Sequence, residues 1–277
     1  ITLDICKKYH INLLISLNDL ELPILAEQKS RFEEFGVKVI VSDPQVIDVC
    51  FDKYKTALWV SEVGLNAPKT YVRLIDAKAA LASSEISFPL FLKPRWGSGS
   101  IGLETVEDME ELNIVYGLLF KKIKKTILAT ASVGDEYIMI QEKLTGKEFG
   151  LDVMNDLEGN NVAVSVKQKL AMRAGETDKA ITVDIPEVRE MGEIIGRNMK
   201  HIGNMDVDIM QRANGDYCVL ELNPRFGGGF PFSYEAGVNL PKAIIMWLRR
   251  ETVDTSMLQP EYGKMFAKND YLMEIKM

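Results

Sequence analysis

The chain has 277 residues, 47% hydrophobic and 26% charged, with a formal net charge of -7. That is ordinary globular composition with ample core for one large or two modest domains, and it argues against a nucleic-acid surface. Three widely spaced cysteines without a C-x-x-C and only two histidines, His10 and His201, exclude a disulfide frame, a zinc site and most His-based catalysis. No apolar run approaches the ~18 residues that span a membrane, and no signal-peptide pattern is present. The expectation is a cytoplasmic protein with no membrane partner. The chain begins with Ile rather than Met, as a fragment or a trimmed chain would.

In chain order, "INLLIS" from Ile11 reads as a buried strand, "ELPILAEQKSRFEEFG" as an amphipathic helix closed at Gly36, and "VKVIVS" as a second strand. This β-α-β order implies a small parallel sheet, short of the strands needed to stand alone. "DKYKTALWVSEVG" (52–64) is a helix with a terminal Gly, "KTYV" a strand, and "DAKAALASS" a short helix that Asp76 caps. "FPLFLKPRWGSGSIGLETV" carries Gly97, Gly99 and Gly102 in G-x-G-x-x-G spacing. A helix with acidic residues in its first turn follows from Glu107, and the basic run Lys121, Lys122, Lys124 and Lys125 reads as its solvated face.

The second half is strand-rich: "EYIMIQEKL", "KEFGLDVMND", "NVAVSVKQKL" and "AITVDI" succeed one another closely. Val188, Met191, Ile195, Met199 and Ile202 then mark one face of a helix. Two strands flank "RANGDY", and a last helix starts near Asn239. "NPRFGGGFPFSYEAG" has poor propensity for any regular element, and its Phe226, Phe230, Phe232 and Tyr234 read either as core or as a pocket wall. The fold class is therefore α+β.

A dinucleotide fingerprint needs a helix to begin inside the glycine motif, whereas "LETV" continues as a strand. A kinase loop has that shape, but no H-R-D or D-F-G follows. A glycine hairpin able to close over phosphates, with Lys93 at its base, and a plain surface turn both remain open. Further on, Asn214-Gly215 between apolar strands signals a two-residue hairpin. With Ala213 then paired to Asp216, Asp208 faces Glu221 and Asp206 faces Asn223, all on one side of the sheet. Facing carboxylates destabilise a sheet unless a cation lies between them. Asp208, Glu221 and the Asn223 carbonyl oxygen form an oxygen set suited to Mg²⁺, with Mn²⁺ as an alternative.

The ordered set of "FDK" (Lys53), "FLKP…GSGSIG", "QEKLTGKEFGLDV" and "VLELNPR" resembles the ATP-grasp superfamily, in particular single modules of the carbamoyl-phosphate synthase large subunit and biotin carboxylase. The resemblance covers roughly Asp52 to Arg250. It implies an ATP-grasp fold, two α+β lobes clamping ATP, behind a partial α/β pre-ATP-grasp domain. The implied division is 1–51, an N-terminal lobe at 52–140 with the glycine flap, and a C-terminal lobe at 141–277 with the metal site. It further implies that Lys53 and Lys93 contact phosphates and that Gly97, Ser98, Gly99, Ser100 and Gly102 form the flap. Glu142, Lys143 and Leu144 become the adenine hinge, Glu142 accepting from the amino group and Leu144 offering its N–H, while Glu148 binds ribose. Asp208, Glu221 and Asn223 fall on the metal positions. Arg225, Lys179 and Arg173 are the candidates for the substrate side.

The implied activity is an ATP- and Mg²⁺-dependent ligase that makes an acyl phosphate from a small carboxylate for attack by an amine or thiol. Phosphorylation of bicarbonate or carbamate is the alternative, set second because the chain has room for one module and shows no biotin-carrier segment. A non-catalytic ATP-binding module is the third reading. Oligomeric state stays open, with a homodimer among the options.

Overall fold

A computed structural model describes residues 1–97, 102–126 and 135–270. The N-terminal unit contains α1 (Thr2–Lys8), β1 (Leu13–Ile15), α2 (Leu22–Glu33), β2 (Lys38–Ile40) and α3 (Pro44–Phe51). β1 and β2 pair in parallel, as the β-α-β pattern requires. Leu22, Leu25, Phe32, Val37, Val39 and Ile47 close a small core around them. α3 went unread in the sequence, although Asp43 before Pro44 is a helix-start signal and Pro44 sits in the first turn.

α4 (Lys53–Glu62) is capped by Asp52, whose carboxylate accepts from the Tyr54 and Lys55 N–H groups. Val60 and Trp59 of α4 join the core of the large sheet described below, so Lys53 is presented from that side of the molecule. β3 (Thr70–Tyr71), α5 (Leu74–Ala82), β4 (Leu90–Pro94), β5 (Glu104–Val106), α6 (Met109–Ile123) and β6 (Ile138–Glu142) form the smaller lobe. Its four strands run in the order β3-β6-β4-β5. β4 and β5 pair antiparallel, so the glycine segment does connect strand to strand. Asp76 lies inside the first turn of α5, which starts earlier than the sequence suggested, after Arg73.

The larger lobe is a six-stranded sheet ordered β11-β10-β7-β8-β9-β12. Its strands are β7 (Glu148–Asn155), β8 (Asn161–Arg173), β9 (Glu176–Thr182), β10 (Gly203–Gln211), β11 (Tyr217–Asn223) and β12 (Met265–Ala267). α7 (Pro186–Met199) covers one face through Val188, Met191, Ile195 and Met199. Strand alternation aims Phe149, Leu151, Val153, Val164, Val166, Val207 and Ile209 into the same core. The intervening residues point to the other face, which the smaller lobe overhangs. α8 (Phe230–Glu235) and α9 (Leu240–Leu248) follow β11, with a 3-10 turn at Thr255–Leu258. α8 corrects the reading of "GGGFPFSYEAG" as irregular: Pro231 sits in its first turn, where its missing N–H costs nothing.

The β10–β11 hairpin differs from the two-residue turn read in the sequence. Arg212, not Ala213, pairs with Asp216, and the loop is Ala213–Gly215, closed by the Gly215 N–H donating to the Arg212 carbonyl. Asn214 keeps negative φ while Gly215 has φ +99, so a type I turn ending in a left-handed glycine replaces the type I′ turn. That offset is cancelled by a bulge in β11, where Leu220 is the extra residue opposite the Asp208–Ile209 step, so that Asp208 pairs with Glu221 and Asp206 with Asn223. The two departures compensate, and the facing carboxylates stand where the simpler arithmetic put them.

Candidate active site

Between the lobes lies a cavity of about 1200 Å³. Lys53, Lys93, Gly97, Glu142, Leu144 and Glu148 line it, as do Asp208, Glu221, Asn223 and Arg225. Ser98, Gly99 and Ser100 lie outside the described residues. Gly102 has φ +72 and sits against Pro94. Lys143 is not part of the lining, but its Nζ lies 5.3 Å from the centre of the ring of Phe91, which is.

At the centre of the cavity the carboxylates are met by lysines. Lys53 Nζ donates to Glu221 at 2.5 Å and also to the Gly97 carbonyl. Lys169 Nζ bridges Glu148 and Asp208 at 2.6 Å each. Burial pushes the Asp208 carboxyl up; Lys169 opposes this, and Glu221 across the ladder adds to it. Burial would raise Glu221 as well, but Lys53, Lys93 and Arg225 outweigh it and hold Glu221 low. Asp206 is pushed up to about 7 by burial and by the charges of Asp208 and Asp152. A hard divalent cation fits this donor set, two facing carboxylates and an amide oxygen whose crowding raises the protonation of one of them.

Lys93, from β4, has no ion pair among the described residues, and its enclosure in the cleft lowers it to about 8, with Lys53 contributing in the same direction. In the cavity floor Lys167 is buried, 2.5 Å from Asp152, and Ser233 donates to the same carboxylate at 2.5 Å. Neither Lys167 nor Lys169 was picked out from sequence. The signal was there: K-x-K on one face of "SVKQKL", beside a strand that carries Glu148 and Asp152 on the matching face. Two of the three consecutive glycines are needed for clearance. A Cβ on Gly227 would stand 2.1 Å from the Asp206 carboxyl carbon, and one on Gly229 would stand 2.8 Å from Lys167 Cε.

Three expectations change. Lys179 is exposed on β9, pairs in register with Ala171 and Ala267, and does not reach the cavity; the strand aims Thr177 inward instead. Arg173 sits at the β8–β9 turn with its guanidinium on Asp178 and Asp270, also outside the cavity lining. Glu142 is at the hinge, but its carboxylate is taken by Arg212, at 2.5 and 2.9 Å, and by the Lys69 N–H at 2.7 Å. An oxygen so engaged is a poor acceptor for an adenine amino group. Phe226 and Phe230 prove to be both wall and core: they line the cavity and stack edge-to-face at 4.6 Å.

The family model described as "ATP-grasp in the biosynthetic pathway with Ter operon" matches residues 135–268, and one described as "PylC-like, N-terminal domain" matches residues 1–40. Residues 135–268 are thus similar to an ATP-grasp family, and the first 40 residues to a PylC-like N-terminal domain. The carbamoyl phosphate synthase large chain of Campylobacter jejuni is 25% identical over 230 residues, covering 78% of this chain and 20% of the relative. The C-terminal section of the same enzyme from Aquifex aeolicus is 24% identical over 256 residues, covering 87% of this chain and 45% of the relative. The chain thus spans less than half the length of these two relatives. Among solved structures, the biotin carboxylase domain of Hydrogenobacter thermophilus 2-oxoglutarate carboxylase superposes with a TM-score of 0.75 at 17% identity, over 94% of this chain and 58% of that one. L-amino acid ligase from Bacillus licheniformis gives 0.60 at 18% identity, over 94% and 59%. The ATP-grasp fold with a pre-ATP-grasp part at its N-terminus is the architecture they share with it. Among the described residues, no helix is long and apolar enough to cross a membrane.

Proposed function

We propose that this module is an ATP- and Mg²⁺-dependent ligase that activates a carboxylate as an acyl phosphate for attack by an amine or thiol. The observation that carries the reading is the facing pair Asp208–Glu221, with Lys53 and Lys169 on it, inside an interlobe cavity that also reaches the hinge at Glu142 and Leu144. Residues 1–51, 52–140 and 141–277 are the working division into pre-ATP-grasp part, flap lobe and metal lobe.

Asp208, Glu221 and Asn223 would hold Mg²⁺, which neutralises phosphate charge when bound. Lys53 and Lys93 would meet the phosphates, the Leu144 N–H the adenine edge, and Glu148 the ribose. A carboxylate oxygen attacks the γ-phosphorus, the bond to the β,γ-bridging oxygen breaks, and ADP leaves. An amine then adds to the acyl carbon, loses a proton, and expels phosphate. Phosphoryl transfer asks a protein mainly for positioning and charge neutralisation, which these side chains supply without a nucleophilic Ser or Cys. Arg225 would hold the acid, and the Gly227–Gly229 N–H groups would meet the developing oxyanion. Three free, buried cysteines agree with a reducing cytoplasmic setting.

The test is ADP release with MgATP across a panel of carboxylates and amines. Turnover unchanged in Glu221→Gln sinks the metal assignment. Phosphorylation of bicarbonate is the second reading, favoured by the carbamoyl phosphate synthase relatives; ADP release that needs bicarbonate and no organic acid selects it. ATP that protects against heat without ADP formation from any acid selects a non-catalytic module. The Hydrogenobacter domain is a dimer with bound MgADP and bicarbonate; a homodimer is the assembly to test by sedimentation.

A further inference from the structure

Arg225 is not waiting for a ligand. Its Nε and Nη2 donate to the two carboxylate oxygens of Asp19 at 2.7 and 2.8 Å, a full bidentate fork. Nη1 reaches Asp206 and the Phe226 carbonyl, each at 3.3 Å. Asp19 comes from the far end of the chain, on the loop between β1 and α2, and it lines the cavity beside Leu17 and Asn18. The side chains of Arg225 and Asp19 are only 12% and 15% exposed, so the pair is well shielded and its geometry counts. The loop has few other ties to the cleft. Ser16 bonds Glu21 and Asn18 bonds the Leu20 N–H, both within the loop, while Leu17 and Leu20 stay exposed.

We propose that Asp19 sets the affinity of this site for its acid as an exchangeable occupant: an incoming carboxylate takes the Arg225 fork in place of Asp19, and the loop at 16–21 yields. This rests on the ligase reading above, in which Arg225 holds the acid. One fork cannot bind two carboxylates bidentately along the same edge, and the shielded edge is filled. The acid then competes with an intramolecular anion, and its apparent affinity is reduced by the fraction of molecules in which Asp19 has let go. Asp19 is a positioning residue here, acting through Arg225.

Two measurements on the full chain decide it. In the first, binding of acetate and of bicarbonate is measured by titration in the presence of MgATP, in wild type, Asp19→Asn and Asp19→Glu. The expected result is affinity for one or both probes about fivefold tighter in Asp19→Asn, restored toward wild type in Asp19→Glu, with MgATP affinity unchanged. Affinity that is equal or weaker in Asp19→Asn overturns the proposal. In the second, which needs no variant, hydrogen exchange is followed at 17–22 and at 138–144. Exchange, or its absence, separates the two levels of the reading. MgATP that fails to protect 138–144 removes the ATP site itself. If MgATP protects 138–144, faster exchange at 17–22 on adding acetate or bicarbonate supports displacement, and slower or unchanged exchange there overturns it.

Discussion

Lys93 and Lys169 enter the same cavity from opposite sheets, under opposite electrostatic regimes. Lys169 is held between Glu148 and Asp208, and those two carboxylates raise its affinity for its proton even though burial opposes this. Lys93 has no such partner among the described residues and is lowered to about 8 by its enclosure. The large sheet therefore stores its positive charge in ion pairs that a metal would have to reorganise. The small sheet keeps a cation in an unfavourable place, where phosphate oxygens are the partner that would relieve it.

The largest effect expected from breaking this contrast lies on the cavity-facing side of the large sheet. Lys167→Met leaves Asp152 as an uncompensated buried charge and is expected to cost about 3–5 kcal/mol in denaturant unfolding. The opposite sign is expected across the cleft: Lys93→Met removes an unrelieved charge and stabilises the unliganded protein, by up to the order of 1–3 kcal/mol, while weakening ATP binding. Glu221→Gln removes both a proposed metal ligand and the Lys53 partner, and should lower ADP release on the order of a hundredfold or more, the scale of losing one charge-stabilising group in a shielded site.

The contrast also has a pH signature. The folded-state value of Lys93 is about 8, below the ordinary 10.5. Between these values the unfolded chain binds more protons, so unliganded stability contributed by Lys93 rises with pH through that window. Phosphate binding favours the protonated form, so ATP affinity should fall about tenfold from pH 7 to 9, and Lys93→Arg should flatten the profile. At the hinge, Arg212→Lys replaces a bidentate grip on Glu142 by a point charge and is expected to raise KM for ATP about three- to tenfold with little change in kcat. Lys179→Ala and Arg173→Ala, outside the cavity, should leave KM and kcat within about twofold, as surface substitutions generally do.

Periodicity made the architecture legible: α7, the β1-α2-β2 order and the strand-loop-strand placement of the glycines all follow from local patterns. The facing carboxylate pair was legible because two strands joined by a short turn constrain each other strongly. Charges whose partners lie far along the chain were not. Nothing adjacent to Arg225 announces Asp19, and nothing near Arg173 announces Asp270. Lys179 was named from the resemblance, by its place just before "AITVDI", yet which face of that strand meets the cleft depends on register slips in β8–β9 that no local pattern reveals. Lys167 and Lys169 failed for a different reason: buried lysines look like surface ones until their acids are placed opposite.

The bulge in β11 has a consequence for how that strand is read out. In regular alternation, Leu220 and Glu221 would part to opposite faces. With the bulge, Tyr217, Val219 and Leu222 go to the core while Leu220 and Glu221 both line the cavity. One extra residue thus lets an oily contact and a charged one sit side by side along a single strand. The cavity gains a mixed surface that a perfectly pleated hairpin, holding the same carboxylate pair, would be unable to present.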